Sequence, residues 1–225
     1  IMANFHTHLT AGVIGSTIIA AFGFYFELYG LTTAVLCLAV GTLGSLLPDI
    51  DLDHSKPASQ GFLIASLVVS TLITILYANR YHADRLLIDS LILWMGAFLL
   101  LRLGLFGTFS RLTVHRGMVH SVPYMAMFGL LLVCGAFYGL KLTAFVSWLF
   151  GAALFMGALI HLILDEIYGV NIYGLRLKKS AGTAFKFFEI KKPFGYIFLY
   201  VIILVLIYVA PSSADFIRAL GRFGT

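Results

Sequence analysis

Seven apolar runs, each close to the length that a helix needs to cross a bilayer, divide this chain. The runs lie at Leu9–Phe26, Leu31–Leu47, Gly61–Ala78, Leu86–Leu103, Met118–Leu140, Leu142–Leu164 and Phe194–Ala210. About 20 apolar residues in α-helical conformation cover the hydrocarbon core, so runs of this length are typical of transmembrane helices. The sequence therefore predicts an all-α fold, a polytopic transmembrane helical bundle of about seven spans.

The composition also indicates a membrane protein, since 60% of the 225 residues are hydrophobic and 11% are charged. Globular proteins carry charge on about a quarter of their residues. The first eight residues contain no lysine or arginine, so the first apolar run is predicted to be a retained span and not a cleaved signal peptide. The net charge of +5 is explained by basic residues that flank the spans and contact anionic lipid heads, and we expect no nucleic-acid partner.

The basic residues predict the orientation of the chain. If all seven runs span, nine lysines and arginines lie in loops on the face that holds the N-terminus, and five lie on the other face. Cytoplasmic loops of membrane proteins carry the excess of positive charge, so the N-terminus is predicted to be cytoplasmic. The nine are Lys56, Arg111, Arg116, Arg176, Lys178, Lys179, Lys186, Lys191 and Lys192, and the five are Arg80, Arg85, Lys141, Arg218 and Arg222.

An acid-rich stretch, Pro48–His54, follows the second run. It contains Asp49, Asp51 and Asp53 and ends in His54. Carboxylates this close repel one another unless protons or a cation neutralise them, and a divalent metal with Asp and His ligands is the commonest solution. The alternative is a solvated loop whose acids cap the next helix.

Histidines precede the first run and open the fifth. His6 and His8 are two residues apart, which puts both imidazoles on one side of an extended segment. A histidine pair near a chain end is also common as ordinary headgroup-level side chains. His115 and His120 flank Arg116, whose planar guanidinium either pairs with a phosphate oxygen or anchors the chain at the cytoplasmic face.

The sixth run ends in His161, Asp165 and Glu166. His161 and Asp165 are four residues apart, so a helix stacks them on one face, the spacing by which one helix offers two ligands to one metal. The alternative is that a neighbouring hydroxyl group satisfies this deeply placed histidine.

All four motifs fall at the same membrane face if the seven runs alternate in direction. They contain six of the seven histidines and five of the ten acids. Ionisable residues that converge at a membrane edge mark ion paths, proton relays or metal centres. Imidazoles with carboxylates and without thiolates suit zinc, manganese or iron, and we expect zinc, with manganese as the alternative. The candidate ligands are His6, His8, Asp49, Asp51, Asp53, His54, His115, His120, His161 and Asp165. A tetrahedral ion uses four ligands, so this surplus predicts two or three ions.

The four motifs, in this order, resemble those of the YdjM family. They are His-Thr-His-Leu-Thr-Ala-Gly at 6–12, Leu-Pro-Asp-Ile-Asp at 47–51, His-Arg-Gly-x-x-His-Ser at 115–121 and His-x-x-x-Asp at 161–165. The resemblance implies a bacterial inner-membrane protein under LexA-type control, from a family described as candidate metal-dependent hydrolases. The ligand pattern is more distantly similar to zinc-dependent phospholipase C and single-strand-specific nucleases, whose clusters hold three zinc ions.

Chemistry and resemblance together predict a single integral-membrane hydrolase domain over residues 1–225, a phosphoesterase acting on a lipid or amphiphilic phosphate. Metals about 4 Å apart bind both the attacking hydroxide and a phosphoryl oxygen. Arg116 is expected to hold the phosphate, and Asp53 or Glu166 to orient or deprotonate the nucleophilic water. The metal site is expected at the cytoplasmic face, with membrane lipid as the partner, and no oligomeric state is predicted.

Two other functions remain open. The same ligands suit the translocation site of a metal- or proton-coupled transporter, but such a site belongs near the bilayer midplane. A non-catalytic scaffold with one structural metal needs only four ligands. The segment Gly174–Phe194, in which lysines and phenylalanines are interleaved, favours a lipid substrate because this pattern is typical of an interfacial stretch. A positive-inside loop with aromatic-belt residues also explains much of that pattern.

Overall fold

The computed structural model describes residues 5–48, 63, 66–67, 69–71, 73–75, 77–78, 86–105, 120–171, 176–177, 186–189 and 193–221. The helices are α1 (Phe5–Tyr25), α2 (Leu31–Gly44), α3 (Leu86–Leu99), α4 (Val122–Cys134), α5 (Ala144–Gly169), α6 (Pro193–Val209) and α7 (Ala214–Gly221). π-Helical turns extend α3 over Leu100–Leu105 and α4 over Gly135–Gly139. A two-residue antiparallel pairing joins Val170–Asn171 to Arg176–Leu177. The predicted all-α class is confirmed.

Backbone contacts divide the chain into two units, Ile1–Pro48 with Gly117–Thr225, and Asp49–Arg116. In the first unit, α5 packs against α1, α2 and α4, while α1 also packs on α2 and α6 on α4. In the second unit, the described residues between 63 and 78 are helical, and Trp94 of α3 donates its indole hydrogen to the hydroxyl of Thr71 over 3.0 Å. Much of α3 exposes apolar side chains, as expected of a helix that faces lipid.

Glycines allow α5 to approach two neighbouring helices closely. A Cβ atom added to Gly157 would overlap the carbonyl oxygen of Gly41 on α2. One added to Gly151 would lie 2.7 Å from the carbonyl oxygen of Gly129 on α4. Small residues at helix crossings permit backbone contact, which stabilises helix pairs in a bilayer where apolar burial against lipid gains little. α5 is therefore in tight contact with both α2 and α4.

An apolar cluster at the α4–α5 interface determines which way α5 faces. Val122, Met125, Ala158 and Leu162 are buried together in it. Leu162 is fully buried and directly follows His161. Because neighbouring residues on a helix are about 100° apart, burying Leu162 against α4 turns His161 away from that cluster and toward α1 and α2.

The membrane spans are only partly covered by the described residues. Among the described residues, three helices are long and apolar enough to cross a membrane. They are His6–Tyr25, Val122–Gly139 and Ala144–Tyr168. α6 and α7 make a fourth if their 91° bend lies within one span. The second predicted run, Leu31–Leu47, forms a shorter helix of 14 residues because the chain leaves α2 at Ser45. The count of seven stays a prediction.

A short segment, Lys186–Glu189, lies against the start of α4. Ser121 pairs with Lys186 in a parallel bridge, and the N–H of Val122 donates to the carbonyl of Lys186 over 3.1 Å. The hydroxyl of Tyr200 on α6 donates to the carbonyl of Phe187 over 2.8 Å. Hydrogen bonds from both α4 and α6 therefore hold this segment.

Candidate metal centre

Two histidines from helices far apart in the sequence stack face to face. His8 lies at the start of α1 and His161 in the second half of α5. Their ring centroids are 3.7 Å apart with planes inclined by 13°, and the side chains are 2% and 0% exposed. Two positively charged rings would repel strongly at this distance in a buried site. The stacking therefore suits a site in which the imidazoles act as neutral metal ligands.

The carboxylate of Asp165 faces the edges of both rings. Its Oδ1 lies 3.2 Å from Nε2 of His8, and its Oδ2 lies 3.3 Å from Nε2 of His161. One ligand atom from each of these three residues, the ligand group, lies within 4.8 Å of the others. Two ligand atoms of a tetrahedral zinc ion, each about 2.1 Å from it, are about 3.4 Å apart. The two nitrogen–oxygen separations, each to a different oxygen of Asp165, are close to that spacing.

The hydrogen position on His161 is determined by the end of α2. Nδ1 of His161 lies 2.6 Å from the main-chain carbonyl oxygen of Ser45, and a carbonyl only accepts, so Nδ1 carries the hydrogen. In the neutral ring, the Nε2 lone pair then faces Oδ2 of Asp165, and two acceptors at 3.3 Å repel unless a cation or proton lies between them. Metal-binding histidines commonly donate their second N–H to a backbone carbonyl in this way. The ligand group therefore fits a divalent ion.

A third imidazole lies at the open side of the ligand group. Nε2 of His120 is 3.8 Å from Oδ2 of Asp165, and its ring centroid is 5.8 Å from that of His161. His120 is 25% exposed and Asp165 is 22% exposed, whereas His8 and His161 are buried. The centre is therefore partly exposed on the side of His120 and Asp165 and buried on the side of His8 and His161.

A family model described as YdjM inner membrane protein matches residues 2–219. The chain belongs to the YdjM family. The match covers almost the whole chain, including the ligand group and His120, and it confirms the resemblance predicted from the four motifs. The family description also supports a membrane location. Comparisons with curated proteins and with solved structures found no match.

Two further candidate residues of this YdjM protein are described by the structure but are not part of the ligand group. His6 is exposed, and since residues 5–25 are helical, it is about 200° around α1 from His8. The prediction that both imidazoles share one side of an extended segment is therefore wrong. Glu166 is half-buried one residue after Asp165, about 100° around α5.

The other candidate residues of the YdjM chain lie outside the described residues. These are Asp49, Asp51, Asp53, His54, His115 and Arg116. Their predicted roles as ligands, phosphate clamp and proton acceptor stay predictions.

Ser45 contributes to the centre without having been a candidate. It accepts the hydrogen bond of His161 through its main-chain carbonyl, which every residue has, so this contact leaves no signal in the residue type. The available signal is its position, because a helix ending near a metal motif presents carbonyls that have no intrahelical partner.

Proposed function

We propose that this YdjM protein is a membrane-embedded, metal-dependent hydrolase, a phosphoesterase that acts on a lipid or amphiphilic phosphate. The observation that carries the proposal is the ligand group, in which Nε2 atoms of His8 and His161 converge on the Asp165 carboxylate. Three protein ligands with an accessible side match the pattern of catalytic zinc sites, which keep one position open. Closed structural sites use four protein ligands instead.

Zinc is the proposed metal, with manganese as the alternative, because imidazole and carboxylate donors suit both ions. The ligand group supplies three donors for one ion. A second or third ion would draw on Asp49, Asp51, Asp53, His54 and His115, together with His120 at the open side. The proposed hydrolase domain spans residues 1–225.

A bound zinc ion lowers the pKa of the water that it holds toward about 7, which supplies a nucleophile at neutral pH. In the proposed reaction, Arg116 holds the phosphate through its guanidinium fork. Asp53 or Glu166 accepts the proton of the attacking water. His8 and His161 stay buried and keep Asp165 in place at the accessible side.

The proposed topology has seven spans with a cytoplasmic N-terminus in the bacterial inner membrane. It would put the metal centre at the cytoplasmic face. The position of the ligand group supports a site at a membrane edge, since His8 is the fourth residue of α1 and Asp165 lies in the last turns of α5. The competing function, a metal- or proton-coupled transporter, calls for a site near the middle of the spans.

Metal content and turnover test this function together. The purified protein in detergent, prepared without chelator, is analysed for zinc and manganese, and hydrolysis of bis(p-nitrophenyl) phosphate is followed. A variant carrying both His161→Ala and Asp165→Ala is expected to lose the metal and the turnover. Asp215→Ala is the matched control, because that carboxylate is exposed and pairs with Arg218 on α7.

If the double variant retained the metal, His161 and Asp165 would not be its ligands and the proposed metal site would be wrong. Metal binding without any hydrolysis that depends on the ligand group would favour the transporter. Uptake of radioactive zinc into proteoliposomes then distinguishes transport from simple binding.

A further inference from the structure

The segment Lys186–Glu189, which contains two phenylalanines, is held beside the residue that follows His120. Lys186 pairs with Ser121, the residue directly after His120, and its carbonyl accepts the N–H of Val122. His120 in turn lies 3.8 Å from Asp165. An uninterrupted series of contacts therefore links this segment to the accessible side of the ligand group.

The aromatic side chains of this region are exposed although their backbone is held. Phe187 is 58% exposed and Phe194, the second residue of α6, is 85% exposed. Phe188 is half-exposed, and its ring contacts the buried ring of Tyr196 at a centroid distance of 5.4 Å. Phe187, Phe188 and Phe194 together form the aromatic platform. Exposed aromatic side chains near the end of a membrane helix are typical of the boundary between lipid and water.

The aromatic platform is continuous with the apolar face of α6. Ile197, Phe198 and Val201 on that helix are all at least half exposed. In a membrane protein, such a face contacts acyl chains. Phe194 extends this face to the start of the helix, and the segment that carries Phe187 and Phe188 also contains the Lys186–Glu189 ion pair, 3.6 Å long.

We infer that the metal centre receives its substrate sideways from the bilayer, as a phospholipid whose acyl chains rest on the aromatic platform. This inference rests on the proposed phosphoesterase function. Aromatic rings at the depth of the lipid carbonyls hold the chains, while the phosphate head reaches the side of His120 and Asp165. Water-soluble phosphates reach the same metal centre without using the platform.

Two substrates that release the same chromophore distinguish the effect of the aromatic platform on turnover from that of the metal centre. Bis(p-nitrophenyl) phosphate is soluble in water, whereas the phosphatidyl ester of p-nitrophenol is presented in detergent mixed micelles. The variant Phe187→Ser/Phe194→Ser is expected to reduce turnover of the lipid ester about tenfold, since apolar contact area is lost. It is expected to leave the soluble substrate unchanged. Tyr208→Ser is the control, because Tyr208 is 91% exposed near the other end of α6.

An equal loss on both substrates, or no loss on the lipid ester, would overturn the inference. If the unaltered protein hydrolysed neither substrate, the proposed function would be contradicted instead. A second measurement that does not depend on turnover therefore tests the platform by itself. Phe187→Trp is introduced into a protein whose Trp94 and Trp148 are replaced by phenylalanine, and the protein is reconstituted with brominated lipids. Stronger quenching by bromine near the glycerol than near the chain ends supports the platform. Equally weak quenching at both depths refutes it, whatever the activity.

Discussion

Ser45 and His161 meet across α2 and α5 through one hydrogen bond, in which Nδ1 of the imidazole donates to the main-chain carbonyl oxygen 2.6 Å away. Ser45 is the residue at the C-terminal cap of α2, where carbonyl groups lack an intrahelical partner. The hydrogen position on a buried histidine thus depends on how closely two helices pack. Changes to helix packing should therefore reach the metal centre.

Gly157→Ala is expected to weaken metal binding although Gly157 contacts no ligand. The added methyl group would overlap the carbonyl oxygen of Gly41, so α2 and α5 must separate and the Ser45 carbonyl moves away from His161. Overpacking of this kind costs about 1–3 kcal/mol of stability, and loss of a supporting hydrogen bond weakens metal affinity by about 10- to 100-fold. Thermal unfolding in detergent and zinc competition titrations measure the two effects. Gly96→Ala on α3, where the added atom meets open space, should lower neither stability nor zinc affinity.

His8→Ala is expected to lower zinc affinity far more than His6→Ala. His8 is buried and its Nε2 faces Asp165, whereas His6 lies about 200° around the same helix and is exposed. Removing a ligand should cost more than the roughly 100-fold upper range seen for residues that only support ligands. Equal losses in the two variants would show that the start of α1 is not helical when metal is bound.

His120→Ala is expected to reduce turnover while leaving most of the metal in place. Its Nε2 is 3.8 Å from Asp165, farther than either nitrogen of the ligand group, and the side chain is partly exposed. We expect zinc affinity to fall by no more than about 10- to 100-fold, the range for a residue that supports a site without completing it. A loss of zinc as large as that of His161→Ala would instead make His120 a ligand of the same ion.

Zinc affinity is expected to fall as the pH is lowered from about 7.5 to about 5.5, because protons compete for the imidazole nitrogens that bind metal. Binding is thus favoured at the higher pH and lost toward acid. Competition with a chromogenic chelator, corrected for the chelator's own protonation, measures the slope. His8→Gln should make the slope less steep, since one competing proton is removed; an unchanged slope would exclude His8 as a ligand.

The four-residue spacing of His161 and Asp165 predicted the part of the metal centre that lies on one helix. His161 and Asp165, four residues apart, do lie on one face of α5, with Nε2 and Oδ2 3.3 Å apart. The alternation of apolar runs also predicted that His8 and His120 lie near this pair, since helices that reverse direction bring alternate loops to one end. Both results depend on regular helix geometry, which sequence patterns report well.

The sequence could not predict details that depend on tertiary contacts. The pairing of His6 with His8 assumed an extended segment, but α1 begins at Phe5 and the helical period separates the two rings. Ser45 accepts the hydrogen bond of His161 through its main-chain carbonyl oxygen. The contact of Lys186 with Ser121 joins segments distant in the chain through main-chain groups that every residue type carries. In each case residue type says little, and only the packing of helices produces the contact.

The stacking of His8 on His161 also has a consequence for biosynthesis. α1 leaves the ribosome long before α5, so a growing chain holds one member of the ligand group until the other two are made. The hydrolytic activity proposed here would therefore begin only after both helices have been inserted and packed. An incomplete chain in the membrane would be harmless to the surrounding lipid.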